Sequence, residues 1–193
     1  MKSISKNEIL LYEINKSKFY ALLFYINDTN EINSILDNIK HKYKDATHYC
    51  YAYICDNVKR FNDDGEPSGT AGMPILNVLE NNDLNHVLAV VVRYFGGIKL
   101  GAGGLVRAYS NSVSLVLNEV DIVDLIEGIK VEIEFSYENV KQVDYLLKDY
   151  KIVNKEYSDN IVYTIDIDKN INIKDILDKY IISYKEICSI YIK

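Results

Sequence analysis

The sequence of 193 residues lacks tryptophan and holds only two prolines, three cysteines and three histidines. An odd cysteine count without a CxxC pair argues against a disulfide framework and against a structural zinc site. No apolar run reaches the ~20 residues that span a bilayer. Acidic residues at Glu8 and Glu13 interrupt the segment in which a signal peptide would be apolar. We therefore expect a cytoplasmic protein with no membrane partner.

Positive charge is also scarce, because acidic residues outnumber basic ones and the formal net charge is −6. This balance gives no general attraction to nucleic acid or anionic membranes, so any such contact would have to be local. Eight of the nine glycines and both prolines fall between residues 65 and 104. Two of the three arginines, Arg93 and Arg107, lie within or just beyond this stretch. Glycine and proline are selected where a particular backbone conformation is needed, and arginine where several hydrogen-bond donors must lie in one plane. We therefore expect the functional site in the stretch from residue 65 to Arg107.

Hydrophobic patterning predicts an α+β chain of two domains, residues 1–127 and 128–193. In the first domain, a continuous apolar run predicts a strand buried on both faces at 86–95. Residues 56–68 read as a polar loop. The remaining predicted elements are strands at 8–14, 18–26 and 48–55 and helices at 29–43, at 69–81 and from about residue 103. The second domain shows the order βαββαβ, which is typical of a ferredoxin-like fold.

The first candidate site is the acidic, turn-rich loop RFNDDGEPSGTAGMPIL (60–76). Asp63, Asp64 and Glu66 place three carboxylates around one glycine, an arrangement that could hold a hard cation or supply a base. The spacing matches no EF-hand, and acidic turns are common on surfaces, so we predict no metal and no cofactor. Further along, Ser68, Gly69 and Thr70 lead into a helix. Its free N–H groups could hold an anion, or these residues could simply cap the helix.

The second candidate site is the string RYFGGIKLGAGGLVRAYS (93–110). A strand, a glycine-rich loop and a helix follow one another, and this arrangement can cradle phosphate with backbone N–H groups. The string contains neither the Walker pattern nor GxGxxG in Rossmann spacing. Arg93 could instead pair internally with one of the acidic-loop carboxylates. The predicted phosphate-binding residues of this string are Arg93, Gly96, Gly97, Lys99, Gly101, Gly103, Gly104 and Arg107.

His48 and Cys50 lie two residues apart, on one face of a predicted strand. A Cys–His nucleophile pair is one interpretation, but no third catalytic group or oxyanion motif accompanies it in the sequence. The alternative is a half-buried histidine beside a core cysteine. Both residues are therefore candidate site-lining residues without an assigned catalytic role.

Three segments together closely resemble the signature of the YigZ/IMPACT family: ATHYCYAY (46–53), NDDGEPSGTAGMPIL (62–76) and VVVRYFGGIKLGAGGLVRAYS (90–110). The resemblance implies a ribosomal protein S5 domain 2-like β-α fold for the first domain. It implies a ferredoxin-like second domain similar to the last domain of elongation factor G. Because that factor carries the same two folds side by side, a role facing the ribosome or RNA is expected.

The resemblance also implies a regulatory setting, since eukaryotic relatives regulate the translational response to amino-acid starvation. They bind a kinase-activating protein through an added N-terminal domain. The present sequence begins directly at the family core, so we do not expect that partner here. The primary hypothesis is a translation-associated regulator that binds the ribosome or RNA phosphate through the glycine-rich loop.

Two other hypotheses remain open. The implied fold of the first domain is shared by small-molecule kinases, so an enzyme acting on a small phosphorylated or nucleotide substrate is the alternative. Against it, the glycine string does not match the serine-rich loop of those kinases. The third hypothesis is a protein partner bound through the tyrosine-rich C-terminal domain, because tyrosine suits interfaces.

Overall fold

The computed structural model describes residues 1–192 and divides into two compact units, Met1–Asp124 and a second unit that begins at Leu125. Helices and several sheets occur in the same chain, so the α+β class is confirmed. Within residues 1–192, no helix is both long enough and apolar enough to cross a bilayer. Lys193, which belongs to the predicted final strand and C-terminal domain, lies outside the described residues.

The first unit contains three helices: α1 (Glu31–Lys42), α2 (Gly72–Asn81) and α3 (Gly101–Leu117). Its strands are β1 (Lys2–Ile4), β2 (Glu8–Ile14), β3 (Ser17–Tyr25), β4 (His48–Cys55), β5 (Val58–Asn62), β6 (Val87–Tyr94) and β7 (Ile122–Asp124). Five of them form an antiparallel sheet in the order β2-β3-β6-β4-β5. The short strands β1 and β7 pair with each other.

Helices cover both faces of this sheet. The apolar stripe of α1, formed by Ile32, Leu36 and Ile39, packs on one face. Helices α2 and α3 pack on the other face and enclose the larger core. Strand β6 lies between β3 and β4 and is buried from Val87 through Arg93, so the strand predicted to be buried on both faces is confirmed.

The structure corrects several predicted elements. Residues 58–62, predicted to be part of a loop, form the edge strand β5, paired with β4 from Cys55↔Val58 onward. All five residues are exposed, so hydrophobic alternation gave no signal. Strands β1 and β7 were missed because each has only three residues, too few for a periodic pattern. They form by pairing with each other, although they lie at opposite ends of the first unit's sequence. Helix α3 begins at Gly101, two residues before the predicted start.

The second unit follows the ferredoxin-like order. Its strands and helices are β8 (Ile126–Phe135), α4 (Val140–Leu146), β9 (Lys151–Tyr157), β10 (Ile161–Asp168), α5 (Ile173–Leu177) and β11 (Ser183–Ile192). The antiparallel sheet order β11-β8-β10-β9 places the first and third strands at the centre, as the ferredoxin-like topology requires. Both helices are short, with seven residues in α4 and five in α5, and a 3₁₀ turn at Tyr137–Asn139 precedes α4.

Candidate functional site

Asp63 organises the loop that leads into α2. Its Oδ2 accepts a hydrogen bond from the N–H of Gly69 (2.9 Å), and its Oδ1 accepts from the N–H groups of Ala71 (3.0 Å) and Gly72 (2.8 Å). The sequence predicted an anion near these amides, and the carboxylate that they bind here belongs to the chain itself. Thr70 donates through Oγ1 to the carbonyl of Pro67 (2.6 Å). Ser68 is exposed.

Asp64 attaches the same loop to the start of β4. Its Oδ2 accepts the N–H of Tyr49 at 2.6 Å, and its carbonyl lies 2.7 Å from Nδ1 of His48. A carbonyl only accepts, so the proton of the neutral His48 ring sits on Nδ1. The other ring nitrogen, Nε2, then faces Oε2 of Glu66 at 3.8 Å.

Glu66 lies at the centre of the polar cluster, with its side chain 3% exposed. Its Oε1 accepts a hydrogen bond from the hydroxyl of Tyr109 (2.8 Å) and forms an ion pair with Nη1 of Arg93. Arg93 is itself 5% exposed, so the alternative of internal pairing is what the structure shows for this residue. The three loop carboxylates thus turn to different internal partners.

The guanidinium of Arg93 is held between aromatic rings. Its Cζ lies 5.4 Å from the ring centroid of Phe19 and 5.5 Å from that of Phe95. Its Nε is buried and has no hydrogen-bond partner among the described residues. A buried guanidinium held in this way depends on Glu66 for charge compensation, because an unpaired buried charge is costly. The Arg93–Glu66 pair therefore fastens the acidic loop to the end of β6.

Cys50 joins the cluster from β4. Its Sγ lies 3.3 Å from the Tyr109 hydroxyl and 3.0 Å from the carbonyl of Asp63. Burial raises the pKa of the Cys50 thiol and also that of the Tyr109 hydroxyl. Both groups consequently stay protonated at neutral pH. The structure brings His48 and Cys50 to the same cluster, but this thiol is not an activated nucleophile.

The glycine-rich loop (residues 96–104) leaves the same end of β6 and is shaped by close backbone approach. A Cβ built at Gly96 would lie 2.0 Å from the carbonyl carbon of Lys16, so the position requires glycine. Gly97 (φ 85°) and Gly101 (φ 70°) adopt left-handed backbone geometry. Lys99 is exposed, and Phe95 and Ile98, each 45% exposed, lie just before it.

Helix α3 opens from this loop with an exposed first turn. The residue at the N-cap is Leu100, whose apolar side chain cannot accept a hydrogen bond. Gly101, Ala102 and Gly103 are exposed, and the first turn contains no acidic residue. The first N–H groups of any α-helix lack intrahelical acceptors and carry partial positive charge. Arg107 is also exposed, two turns along the helix.

Sequence reasoning missed Tyr109, which joins Glu66 and Cys50. A signal was available, because Tyr109 falls on the stripe of α3 that also carries Leu105, Ala108 and Ser112, all buried. A hydroxyl on a buried stripe requires a buried polar partner. The helical periodicity of α3 could therefore have predicted that the Tyr109 hydroxyl is buried and requires a polar partner. Which residues serve as its partners depends on the tertiary fold.

The region that matches known proteins includes every residue of this site. A family model described as "Impact N-terminal domain" matches residues 15–117. The chain is 39% identical over 170 residues to "IMPACT family member YvyE" of Bacillus subtilis, spanning 84% of this chain and 76% of that protein. The chain belongs to the IMPACT family. It is also 34% identical over 152 residues to "IMPACT family member YigZ" of Escherichia coli, covering 75% of this chain and 74% of the relative.

A solved structure titled "Crystal structure of an hypothetical protein" shares the fold of this IMPACT-family chain, with a TM-score of 0.67 and 28% identity. The likeness covers 92% of this chain and 91% of the other. The family match contains both the acidic loop and the glycine-rich loop, since each lies between residues 15 and 117. The resemblance read from the sequence motifs is therefore confirmed.

Proposed function

We propose that this IMPACT-family chain acts in the regulation of translation by binding phosphate groups of ribosomal RNA through the glycine-rich loop and the first turns of α3. The observation that carries the proposal is the combination of an uncapped helix N-terminus with two exposed cations. Lys99 precedes α3 and Arg107 lies on it, and both are exposed. Phosphate oxygens accept hydrogen bonds from backbone N–H groups, lysine and arginine alike.

The exposed first turn of α3 supports close contact with a backbone. A Cβ built at Gly103 would meet no atom of the described residues within 4 Å, so this glycine is not needed for internal packing. Glycine inside a helix costs stability relative to alanine, by about 0.5–1 kcal/mol. Its presence at an exposed helical position is consistent with a surface that a ligand backbone must approach closely.

The apolar residues beside the loop support RNA as the ligand rather than a small free anion. Phe95 and Ile98 are each 45% exposed beside Lys99. Unstacked bases bind on aromatic faces, so an exposed phenylalanine next to cations suits a folded RNA surface. Arg93, buried and paired with Glu66, is assigned a supporting role: it holds the end of β6 from which the loop starts.

The net charge of −6 limits how the contact can work. Such a chain has no bulk attraction to free RNA, but a focused contact within a larger assembly needs only a local cationic surface. The proposal therefore predicts measurable association with intact ribosomes and weak association with unstructured RNA.

The test is co-sedimentation of the purified chain with ribosomes across a series of salt concentrations. Wild-type association should fall as salt rises, and Lys99→Ala and Arg107→Ala should each weaken it and reduce the salt slope by roughly 0.7–0.9. The matched control is Lys40→Ala, which removes one exposed lysine from α1 on the opposite face of the sheet. No association of the wild-type chain at low salt, or equal weakening by all three variants, would contradict the proposal.

A further inference from the structure

A second cluster of chemically active side chains lies at the other end of β6, outside the site described above. Cys55 ends β4, Asp56 begins the tight turn between β4 and β5, and His86 directly precedes β6. One ligand atom from each of the three lies within 4.8 Å of the other two. Strand β6 separates this cluster from the glycine-rich loop by eight residues, or about 25 Å along an extended strand. The two sites are therefore independent.

The ligand atoms inside the cluster lie close to the His86 ring, one on each side of it. Oδ1 of Asp56 lies 3.1 Å from Nε2 of His86, and Sγ of Cys55 lies 3.7 Å from Nδ1 of the same ring. Neighbouring N, O and S ligands on a tetrahedral zinc ion are about 3.2–3.6 Å apart, given bond lengths near 2.0–2.3 Å. Oδ1 of Asp56 already lies near such a distance from Nε2, whereas Sγ of Cys55 faces Nδ1, so the Cys55 side chain must turn toward Nε2 for the three ligands to close on one ion. Asp56 can also adjust, because its side chain is 55% exposed at a hairpin tip.

The surroundings of His86 match those of a metal-binding histidine. The ring is buried, and Nδ1 lies 3.1 Å from the carbonyl of Ile26, which can only accept a hydrogen bond. With the proton on Nδ1, the lone pair on Nε2 faces the carboxylate of Asp56, which also only accepts. Two facing acceptors require either a second ring proton or a cation between them. Metal-ligating histidines characteristically donate their other N–H to a backbone carbonyl in this way.

The backbone fixes the cluster in place. Asn85 donates through Nδ2 to the carbonyl of Asp56 at 3.0 Å, and its Oδ1 accepts the N–H of His86 at 2.8 Å. Asp56 (φ 52°) and His86 (φ 55°) both adopt left-handed geometry, which aspartate and histidine reach more readily than most residues, and at Asp56 the two-residue turn between β4 and β5 calls for it.

A cavity of about 210 Å³ opens beside the cluster and is lined by Asp56, its exposed member, and by Asn85, the neighbour of His86. Three carboxylates line it, from Asp56, Glu80 and Asp83, against the ammonium of Lys59 and the N-terminal residue Met1. The excess of negative charge attracts cations to the opening. The volume holds several waters, so a water can complete the coordination of an ion that has three protein ligands.

We propose that Cys55, Asp56 and His86 bind one zinc-class transition-metal ion, through Sγ, a carboxylate oxygen and Nε2, with water in the fourth position. The mixed sulfur, nitrogen and oxygen donors favour Zn²⁺ or Co²⁺ over Mg²⁺ and Ca²⁺, which prefer oxygen alone. Binding displaces the thiol proton to solvent, because the thiolate is the ligand form. The site contains no CxxC pair, so cysteine spacing did not reveal it.

The test titrates the metal-stripped full chain with Co²⁺ and follows the near-ultraviolet charge-transfer absorption of a thiolate–cobalt bond. The wild-type chain should reach one bound ion per chain, release a proton on binding, and lose the cobalt signal when Zn²⁺ is added. Cys55→Ser should abolish the band. Asp56→Asn should weaken binding more than about tenfold. That variant also guards against misfolding, because Asp56 is an exposed residue.

The matched controls are Cys50→Ser, which removes the other buried thiol of β4, and Cys188→Ser, which removes the exposed thiol of the second unit. Both should retain the band at the wild-type Co²⁺ concentration. No charge-transfer band in the wild-type chain would overturn the proposal. A band that survives Cys55→Ser and disappears in either control would overturn it equally, because the ion would then sit at another thiol. Circular dichroism of each variant verifies that it has folded.

Discussion

At the scale of single residues, the most consequential contact is the buried pair of Glu66 and Arg93. Their side chains are 3% and 6% exposed, and Tyr109 adds a hydrogen bond to the same carboxylate oxygen. The sequence raised internal pairing of Arg93 as one of two alternatives, and three carboxylates were available as partners. The choice of Glu66 depends on how the acidic loop folds over β4 and α3, which no sequence pattern reports.

Removing Arg93 should destabilise the first unit strongly. Arg93→Ala leaves the Glu66 carboxylate buried without a counter-charge, and we expect a loss of about 3–5 kcal/mol in the free energy of unfolding. Arg107→Ala, the control on an exposed arginine, should change it by less than about 0.5 kcal/mol. Urea denaturation followed by circular dichroism measures both.

A second variant separates charge loss from loss of packing. Substituting Arg93→Met together with Glu66→Met removes both charges, and it should recover much of the stability lost in Arg93→Ala. If the single and double variants were equally unstable, the stacking of the guanidinium on Phe19 and Phe95 would be the main contribution instead.

At the scale of elements, the link from β6 to α3 combines glycines with different tasks. Gly96 lies against the backbone at Lys16, whereas Gly103 faces open space on the first turn of α3. The sequence predicted a strand, a glycine-rich loop and a helix in this order, and all three are present. The sequence could not show that Gly96 is required by packing and that Gly103 is not. The backbone that Gly96 contacts, at Lys16, lies 80 residues earlier in the chain.

The two glycines should respond oppositely to alanine. Gly96→Ala forces backbone atoms apart and should lower the free energy of unfolding by about 1–3 kcal/mol. Gly103→Ala should raise it by about 0.5–1 kcal/mol, because alanine is the better helix former and nothing obstructs its methyl group. Thermal or urea denaturation of the two variants, side by side with the wild-type chain, gives the comparison.

The Gly103→Ala variant also tests the proposed function. If the first turn of α3 contacts an RNA backbone, Gly103→Ala should weaken ribosome association although the protein itself becomes more stable. A variant that is more stable and binds ribosomes unchanged would show that close approach at Gly103 is not needed. A variant less stable than wild type would contradict the open space around this residue.

At the scale of the whole molecule, the first unit buries two thiols and a tyrosine hydroxyl, and burial keeps these groups protonated at pH values above their ordinary pKa. Burial raises the pKa of the Cys55 thiol from 9.0 to about 11, and it raises the pKa of Cys50 and Tyr109 further. The folded chain therefore holds these protons more tightly than the unfolded chain does. The resulting stability is fully present below pH 9 and is lost progressively as the pH rises from 9 through 11.

We expect the urea midpoint of the metal-stripped chain to stay nearly constant between pH 7 and 8.5 and to fall between about pH 9 and 10.5. Cys50→Ser, which removes one of the buried thiols, should show a shallower fall over the same range. A midpoint independent of pH up to 10.5 would mean that the thiols ionise in the folded protein as readily as in the unfolded chain.

The sequence by itself determined the α+β class, the βαββαβ order of the second unit, the central buried strand and the family, because these depend on local periodicity and contiguous motifs. Tertiary structure alone decided that Asp63 occupies the amides before α2, that Arg93 selects Glu66, and that Cys55 and Asp56 meet His86. The contact of Asp63 lies within one loop, but it depends on how that loop turns back on itself. The other contacts join residues about 30 positions apart, 27 for Arg93 and Glu66, 31 for Cys55 and His86 and 30 for Asp56 and His86. Their partners are chosen by sheet register and helix packing, which leave no signal in any single segment.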